Sequence, residues 1–175
     1  MLGMSKAGIF KYYKNKQELF IAVVDKFWFS TQNPRNKFTE TNGTFAEFID
    51  EYVRGVQRTM DMLGDLIGAE REKVAQGKFT YHAQYFHFLF QLLQYDPDAK
   101  EKLRNLVDGD YAYWRAAIQH AIATGELRED VDVEDAVVMF RQVYMGLSFE
   151  MAFMGGLNTQ RLAKHLHAVY SLLKR

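Results

Sequence analysis

Apolar residues recur every three or four positions along most of the chain, a spacing that places them on one face of an α-helix. The alternation of apolar and polar residues that is typical of strands is scarce, and the prolines are Pro34 and Pro97. The pattern therefore predicts an all-α fold. Helices are predicted at about residues 6–13, 16–30, 44 to a break near 64–68, 79–95, 97–123, 132–154 and 158–173.

Residues that start and stop helices lie at the ends of these segments. Thr44 and Asp132 are suited to accept hydrogen bonds from the first free amides of a helix. Gly125 and the pair Gly155 and Gly156 follow apolar stripes, where glycine closes a helix. The glycines within residues 64–68 predict a break or kink in the helix that Thr44 begins.

Two of the predicted helices are apolar on more than one face. Residues 79–95 carry aromatic and aliphatic side chains on two faces, so we expect this helix to be buried on most sides. Residues 133–154 are apolar nearly all round, so one face should cover the chain's own core while another contacts a partner. A membrane span is the rival interpretation, but Arg141 and Glu150 would each cost about 2.5–3.5 kcal/mol near a bilayer centre.

The composition excludes several kinds of chemistry. Of the 175 residues, 48% are hydrophobic, which is typical of a folded protein rather than a disordered one. The chain has no cysteine, and the start of the sequence lacks the apolar run of a secretory signal, so we expect a cytoplasmic protein. His82 and His87 are spaced wrongly for a metal pair on one helical face. No phosphate-binding loop or nucleophile elbow occurs, so no metal, cofactor or enzymatic activity is expected.

Charge is distributed unevenly although the chain is neutral as a whole. Residues 1–37 hold seven basic and two acidic side chains, so the remainder has a net charge of −5. A basic end on an acidic body is consistent with an end that faces nucleic acid, and equally with a solvated surface rich in lysine.

A short stretch near the N-terminus resembles a known DNA-reading motif. Residues 4–24, MSKAGIFKYYKNKQELFIAVV, resemble the end of the helix-turn-helix domain of the tetracycline-repressor (TetR) family of bacterial transcription regulators. In that family a serine or threonine opens the recognition helix, an apolar-aromatic pair and two further aromatics follow, and a lysine begins the next helix. These places are taken by Ser5, Ile9 and Phe10, Tyr12 and Tyr13, and Lys16, with Leu19 and Phe20 continuing the pattern.

The resemblance implies a division into two domains and a set of DNA contacts. Residues 1–37 would be an incomplete helix-turn-helix domain, and residues 38–175 a helical ligand-binding and dimerisation domain. Small residues at the start of a recognition helix allow close approach to base edges, and longer polar side chains reach phosphates. The expected DNA-binding residues are Ser5, Lys6, Ala7, Gly8, Phe10, Lys11, Tyr12 and Lys16.

The family has one complete helix and most of another before this point, and here only four residues precede Ser5. Met1 is either an internal methionine of a longer protein, which we favour, or the true start of a chain without competent DNA reading. A helix-turn-helix domain without those helices cannot close a core. We therefore expect the chain as written to bind DNA poorly.

A second, weaker resemblance concerns the body of the chain. Residues 117–140 resemble the junction at which a regulatory helix of the family ends and the first dimerisation helix begins. The resemblance implies that the last two helices pair across a two-fold axis. The dimer interface is then expected at Phe140, Val143, Tyr144, Leu147, Met151, Leu162, Leu166 and Val169.

The aromatic residues of the body could line a cavity for a hydrophobic or aromatic small molecule. The expected lining residues are Phe48, Tyr52, His82, Tyr85, Phe86, Tyr113 and Trp114, with ordinary core packing as the alternative for each. Taken together, the resemblance implies a ligand-responsive bacterial transcriptional regulator, expected to be a repressor, that binds a palindromic operator as a homodimer, with this chain lacking the first DNA-binding helices. The alternative is a dimeric small-molecule-binding module without DNA-binding or catalytic activity.

Overall fold

The computed structural model describes residues 11–38, 43–66 and 81–175, apart from the side chains of residues 65, 66 and 81–84. Within these ranges the protein is all-helical, as the sequence predicts, and a single isolated β-bridge pairs Leu127 with Lys174. The α-helices are α1 (Lys16–Val23), α2 (Phe29–Gln32), α3 (Phe45–Leu66), α4 (Tyr81–Tyr95), α5 (Ala99–Ala123), α6 (Val133–Ala152) and α7 (Thr159–Leu173).

Helices α1 and α2 form one continuous helix, which we call the N-terminal helix. A π-helical segment, Val24–Trp28, joins them, and the backbone stays helical at both junctions. The helix begins at Asn15, whose side chain accepts a hydrogen bond from the Glu18 amide at 2.8 Å. The predicted helix over residues 6–13 is not formed at residues 11–13, which lie in a turn, and residues 1–10 lie outside the described part of the chain.

The start of α3 is held by side chains of its own first turn and by a carboxylate from a loop distant in the sequence. Thr44 and Glu47 form a capping box, in which the Glu47 amide donates to Thr44 Oγ1 at 3.2 Å and the Thr44 amide donates to Glu47 Oε2 at 2.8 Å. Glu126, from the loop after α5, accepts from the Phe45 amide at 2.7 Å and from the Tyr170 hydroxyl at 2.8 Å. A carboxylate at a helix N-terminus satisfies free amides and interacts favourably with the helix dipole. The predicted cap at Thr44 is confirmed.

The helix ends predicted at Gly125, at Asp132 and at the pair Gly155 and Gly156 are also confirmed. Gly125 adopts a φ of 77° after α5, a conformation that side chains with a Cβ rarely adopt. The Asp132 side chain accepts from the Asp135 amide at 2.9 Å and so begins α6. After α6 the Gly156 amide donates to the Met151 carbonyl at 2.7 Å, with Gly155 and Gly156 both at positive φ. Helix α3 continues through Gly64 to Leu66, and residues 67 and 68 lie outside the described part of the chain, so the break expected within residues 64–68 stays a prediction.

An aromatic core lies where α3, α5, α6 and α7 meet. Trp114 of α5 and Phe140 of α6 stack with ring centroids 4.9 Å apart, and neither side chain is exposed. Phe45 and Phe48 of α3 pack edge-on against Trp114 at 6.3 and 5.2 Å. A second, smaller group of buried side chains joins the N-terminal helix to α4 and α5: Val24, Trp28, Leu92 and Ala99.

Helix α4 is less buried than its sequence predicts. Leu92 is fully buried against the N-terminal helix, but Phe90 is 64% exposed and Leu93 and Tyr95 are also largely exposed. One apolar face of α4 therefore packs on the described body, and the described residues leave the other face exposed. None of the helices within the described residues is both long enough and apolar enough to cross a membrane.

Candidate functional site

A cleft opens where the end of the N-terminal helix meets α3, α4 and α6. The space between its walls is about 440 Å³, a volume that includes the part open to solvent. Residues of α3 at helical spacing form one wall and residues of α6 form the opposite wall. The cleft is lined by Gln32, Val56, Thr59, Met60, Leu63, Tyr85, Phe86, Tyr144, Met145 and Ser148.

Two polar side chains in this largely apolar lining have no hydrogen-bond partner among the described residues. They are Gln32, through its amide nitrogen Nε2, and Ser148, through its hydroxyl Oγ, and each residue is only 3% exposed. Thr59 differs from both, because its hydroxyl donates to the Gly55 carbonyl at 3.0 Å. Buried polar groups are almost always hydrogen-bonded in folded proteins. The cleft thus offers two unused polar groups to a ligand.

A buried charged cluster lies beside the cleft and consists of Lys37, Asp110 and Arg141. Lys37 Nζ lies 3.7 Å and Arg141 Nε 3.3 Å from the same oxygen, Asp110 Oδ2. All three side chains are at most 10% exposed. The Tyr144 ring, which lines the cleft, lies close to both cations, with its centroid 5.5 Å from Lys37 Nζ and 5.7 Å from Arg141 Cζ.

Close approach of two backbones places Lys37 in this cluster. Gly55 of α3 faces Lys37, and a Cβ at residue 55 would lie 2.0 Å from the Lys37 carbonyl oxygen. Only glycine allows the segment after the N-terminal helix to pack this closely on α3. The Lys37 and Phe38 amides both donate to the Pro34 carbonyl at 2.9 Å, which fixes the segment in a tight turn.

Two tyrosines near the cleft remain uncharged donors. Burial raises the pKa of Tyr52 well above its ordinary value, and the nearby Tyr144 and Asp110 raise it further. The Tyr52 hydroxyl has no hydrogen-bond partner among the described residues. Burial also raises the pKa of Tyr85, which lines the cleft directly. Both hydroxyls can donate to a ligand at any physiological pH.

The ligand-binding residues expected from sequence divide into three groups. Tyr85 and Phe86 line the cleft, and Tyr52 borders it through Tyr144, with ring centroids 6.0 Å apart. The side chain of His82 lies outside what the structure describes. The others do not line the cleft but pack in or against the aromatic core, where Tyr113 stacks on Phe38: Phe48, Tyr113 and Trp114. For these three the alternative of core packing is correct.

Sequence reasoning missed Gln32, Ser148 and the charged cluster. A signal was present in α6, where Arg141, Tyr144 and Ser148 follow one another at intervals of three and four residues and so share a face. Polar residues repeated along one face of an otherwise apolar helix indicate that this face meets something other than hydrocarbon.

Most of the dimer-interface residues expected from sequence are buried within one protomer, which corrects that expectation. Phe140, Leu162 and Leu166 are 0% exposed in the core, and Leu147 and Met151 are also buried, so they cannot form the surface that a partner meets. Val143, Tyr144 and Val169 are partly buried against the same core. The large apolar side chains exposed on α6, on the residues just after it and on α7 are instead Val138, Met139, Phe149, Phe153, Met154 and Leu172.

The residues expected to contact DNA are only partly described. Lys11, Tyr12 and Lys16 are exposed before and at the start of the N-terminal helix, where they are free to meet a phosphate backbone. The remaining positions lie outside the described residues: Ser5, Lys6, Ala7, Gly8 and Phe10.

Across residues 11–38, 43–66 and 81–175, no group of three or more histidine or acidic side chains is arranged to hold a metal ion.

Comparison of the whole chain with protein-family models, with curated proteins and with solved structures finds no match.

Proposed function

We propose that this protein is a ligand-responsive transcription regulator of the tetracycline-repressor type, which binds an operator as a homodimer and senses a small molecule in the cleft. One observation carries the proposal. Gln32, the last residue of the N-terminal helix, reaches the cleft with an unpartnered amide nitrogen, while the other end of the same helix follows the segment that resembles a recognition helix.

A ligand in the cleft would act on the N-terminal helix at two points. It would contact Gln32 directly, and it would contact Tyr85, whose ring lies 5.7 Å from the Trp28 ring of the same helix. Trp28 ends the π-helical segment, and such segments are frequent at functional sites in helices. Ligand binding changes DNA affinity if the ligand prefers one position of this helix over another.

The homodimer would form through the outward face of α6. Val138, Gln142, Phe149 and Phe153 follow at helical spacing, and Phe149 is 48% and Phe153 72% exposed. An apolar stripe of this size on a soluble helix is typical of an interface with another protein. Self-association across a two-fold axis would place two N-terminal helices side by side, as a palindromic operator requires.

Selection of DNA tests the proposal. Protein purified from its own cells is incubated with a pool of random duplexes, and bound sequences are recovered over several rounds. We expect enrichment of a palindrome and release of the enriched duplex by a ligand that fills the cleft. The matched control is Ser148→Phe, which places a ring in the cleft and should bind the palindrome without responding to ligand.

Failure to enrich any sequence contradicts the regulatory proposal. If the same protein still binds apolar small molecules, the result supports a dimeric ligand-binding module without DNA recognition. The two outcomes are separated by titrating the neutral fluorescent dye N-phenyl-1-naphthylamine into wild-type protein and into Ser148→Phe, where dye bound in the cleft should be lost.

A further inference from the structure

The charged cluster beside the cleft holds more positive than negative charge. Lys37 and Arg141 are cations, and Asp110 is the one carboxylate within salt-bridge distance of them among the described residues. Arg141 Nη1 and Nε make no hydrogen bond of good geometry, and Asp110 Oδ1 is also unpartnered in the described part of the chain. Burying an uncompensated charge with unused donors is unfavourable unless a counter-charge is supplied.

Arg141 of the charged cluster, on α6, and the nearby Tyr52, on α3, each lie one helical turn from a residue that lines the cleft. On α6, Arg141 precedes the lining residue Tyr144 by three positions. On α3, Tyr52 precedes the lining residue Val56 by four positions, and its pKa is perturbed by Asp110 and Arg141. Residues three or four apart on a helix lie one above the other on the same face, about 5 Å apart. The excess charge therefore lies about one helical turn beyond residues that line the cleft.

The Tyr144 ring separates the two regions. It lines the cleft and lies within 6 Å of both cations, so a ligand group that packs beside this ring comes close to Arg141. The donors available there are Nη1 of the Arg141 guanidinium and the Tyr52 hydroxyl, neither of which makes a hydrogen bond within the described structure, although Arg141 Nε is ion-paired with Asp110. A planar guanidinium binds carboxylates through parallel N–H donors.

We propose that the cleft takes an amphipathic ligand with an apolar body and one carboxylate, and that the carboxylate binds Arg141 next to Tyr144 while the apolar body lies against Val56, Met60 and Phe86. The ligand's charge balances the buried cation excess. This assignment rests on the proposed function of the cleft as a sensor site and adds the chemical class of what it senses.

Two compounds of the same size and shape test the role of charge. Both 4-phenylbutanoate and 4-phenylbutanamide have the same apolar body and differ in the carboxylate alone. Each is titrated against wild-type protein loaded with N-phenyl-1-naphthylamine, and displacement is read from dye fluorescence. We expect the carboxylate to displace the dye at a concentration at least about tenfold lower than the amide does. The preference should persist in about 1 M salt, because buried charge pairs are screened much less than exposed ones.

Two variants of Arg141 test whether the charged cluster causes the preference for the carboxylate over the amide. Arg141→Gln leaves the Lys37 and Asp110 pair neutral, so the preference for the carboxylate should fall to about one while the amide still binds. Arg141→Lys keeps the charge and should retain a preference above one. Circular dichroism shows whether each variant is folded. If a variant does not fold, the comparison of the two compounds on wild-type protein still tests the preference for the carboxylate.

The outcomes separate this inference from the proposed function. Equal displacement by the two compounds on wild-type protein overturns the carboxylate assignment and leaves the cleft as a site for neutral ligands. An undiminished preference in folded Arg141→Gln also overturns it. If wild-type protein binds no dye, or if Ser148→Phe binds as much dye as wild-type protein does, the result contradicts the sensor site itself.

Discussion

Replacing Gly55 with alanine should destabilise the protein although alanine is the better helix former. Gly55 lies inside α3, where the exchange alone would contribute about 1 kcal/mol of stability. The new Cβ, however, would lie 2.0 Å from the Lys37 carbonyl oxygen and 2.5 Å from the Lys37 Cα. Because non-bonded heavy atoms pack at about 3.5 Å, the two backbones must separate by more than about 1 Å.

The backbone around Lys37 has little room to move. Hydrogen bonds of 2.9 Å from the Lys37 and Phe38 amides to Pro34 hold the turn, and the Lys37 side chain is anchored at Asp110. Overpacking of this kind destabilises a protein by about 1–3 kcal/mol. Because the atoms in the way belong to the backbone of Lys37, we expect the cost of Gly55→Ala to lie at the upper end of this range. Subtracting the gain in helix propensity leaves a net loss of about 2 kcal/mol, or about 4–8 °C in Tm for a chain of this length.

Two other helix-interior glycines serve as matched controls. At Gly109 a Cβ would lie 2.9 Å from the Pro34 ring, and at Gly146 no described atom lies within 4 Å of it. Stability is measured by urea unfolding followed by circular dichroism, at one protomer concentration. We expect Gly55→Ala to be the least stable, followed in order of rising stability by Gly109→Ala, wild type and Gly146→Ala. If Gly55→Ala is as stable as Gly146→Ala, the close approach of Lys37 to α3 is refuted.

Phe149→Glu should yield monomers in sedimentation, whereas Phe90→Glu, at a more exposed phenylalanine on α4, should not; a dimer that survives the first change contradicts the proposed α6 interface. Glu126→Gln should lower the free energy of unfolding by about 1–2 kcal/mol, since it weakens a charged acceptor at the start of α3, whereas exposed Glu129→Gln should have little effect. Burial and the hydrogen bond to Glu126 raise the pKa of Tyr170 to about 12, so its contribution to stability should be complete below the ordinary tyrosine pKa of about 10 and lost by about pH 12. Tyr170→Phe should lack this step in urea unfolding between those two pH values, and an unchanged profile would refute the assignment.

The helices and their ends were predictable because the signals for them are local. An apolar stripe, a capping side chain and a terminal glycine lie within a few residues of one another, as at Thr44, Asp132 and Gly125. The π-helical segment was not predictable in this way, since the apolar spacing over residues 16–30 predicts one ordinary amphipathic helix.

Which side chains cover each apolar face was not predictable, and this is why most of the expected dimer residues, such as Phe140 and Leu162, lie in the core of one protomer instead. Periodicity shows which residues of α6 share a face, but the choice between core and surface depends on helices distant in the sequence. Phe140 stacks on Trp114 of α5, whereas Phe149, on the opposite face of α6, contacts Phe86 of α4 and is 48% exposed. The charged cluster was hidden for the same reason, because Lys37, Asp110 and Arg141 come from three separate segments.

The central claim is that a ligand in the cleft moves the N-terminal helix. The chain has no cysteine, so Lys16→Cys provides a single spin-label site at the exposed start of that helix, and the proposed homodimer would then give one distance between labels. Lys100→Cys, exposed at the start of α5, gives a reference distance in the body. Saturation with 4-phenylbutanoate should shift the Lys16→Cys distance by at least about 2 Å, leave the reference unchanged, and have no effect in Ser148→Phe. A cleft saturated with ligand and an unchanged Lys16→Cys distance would contradict the account.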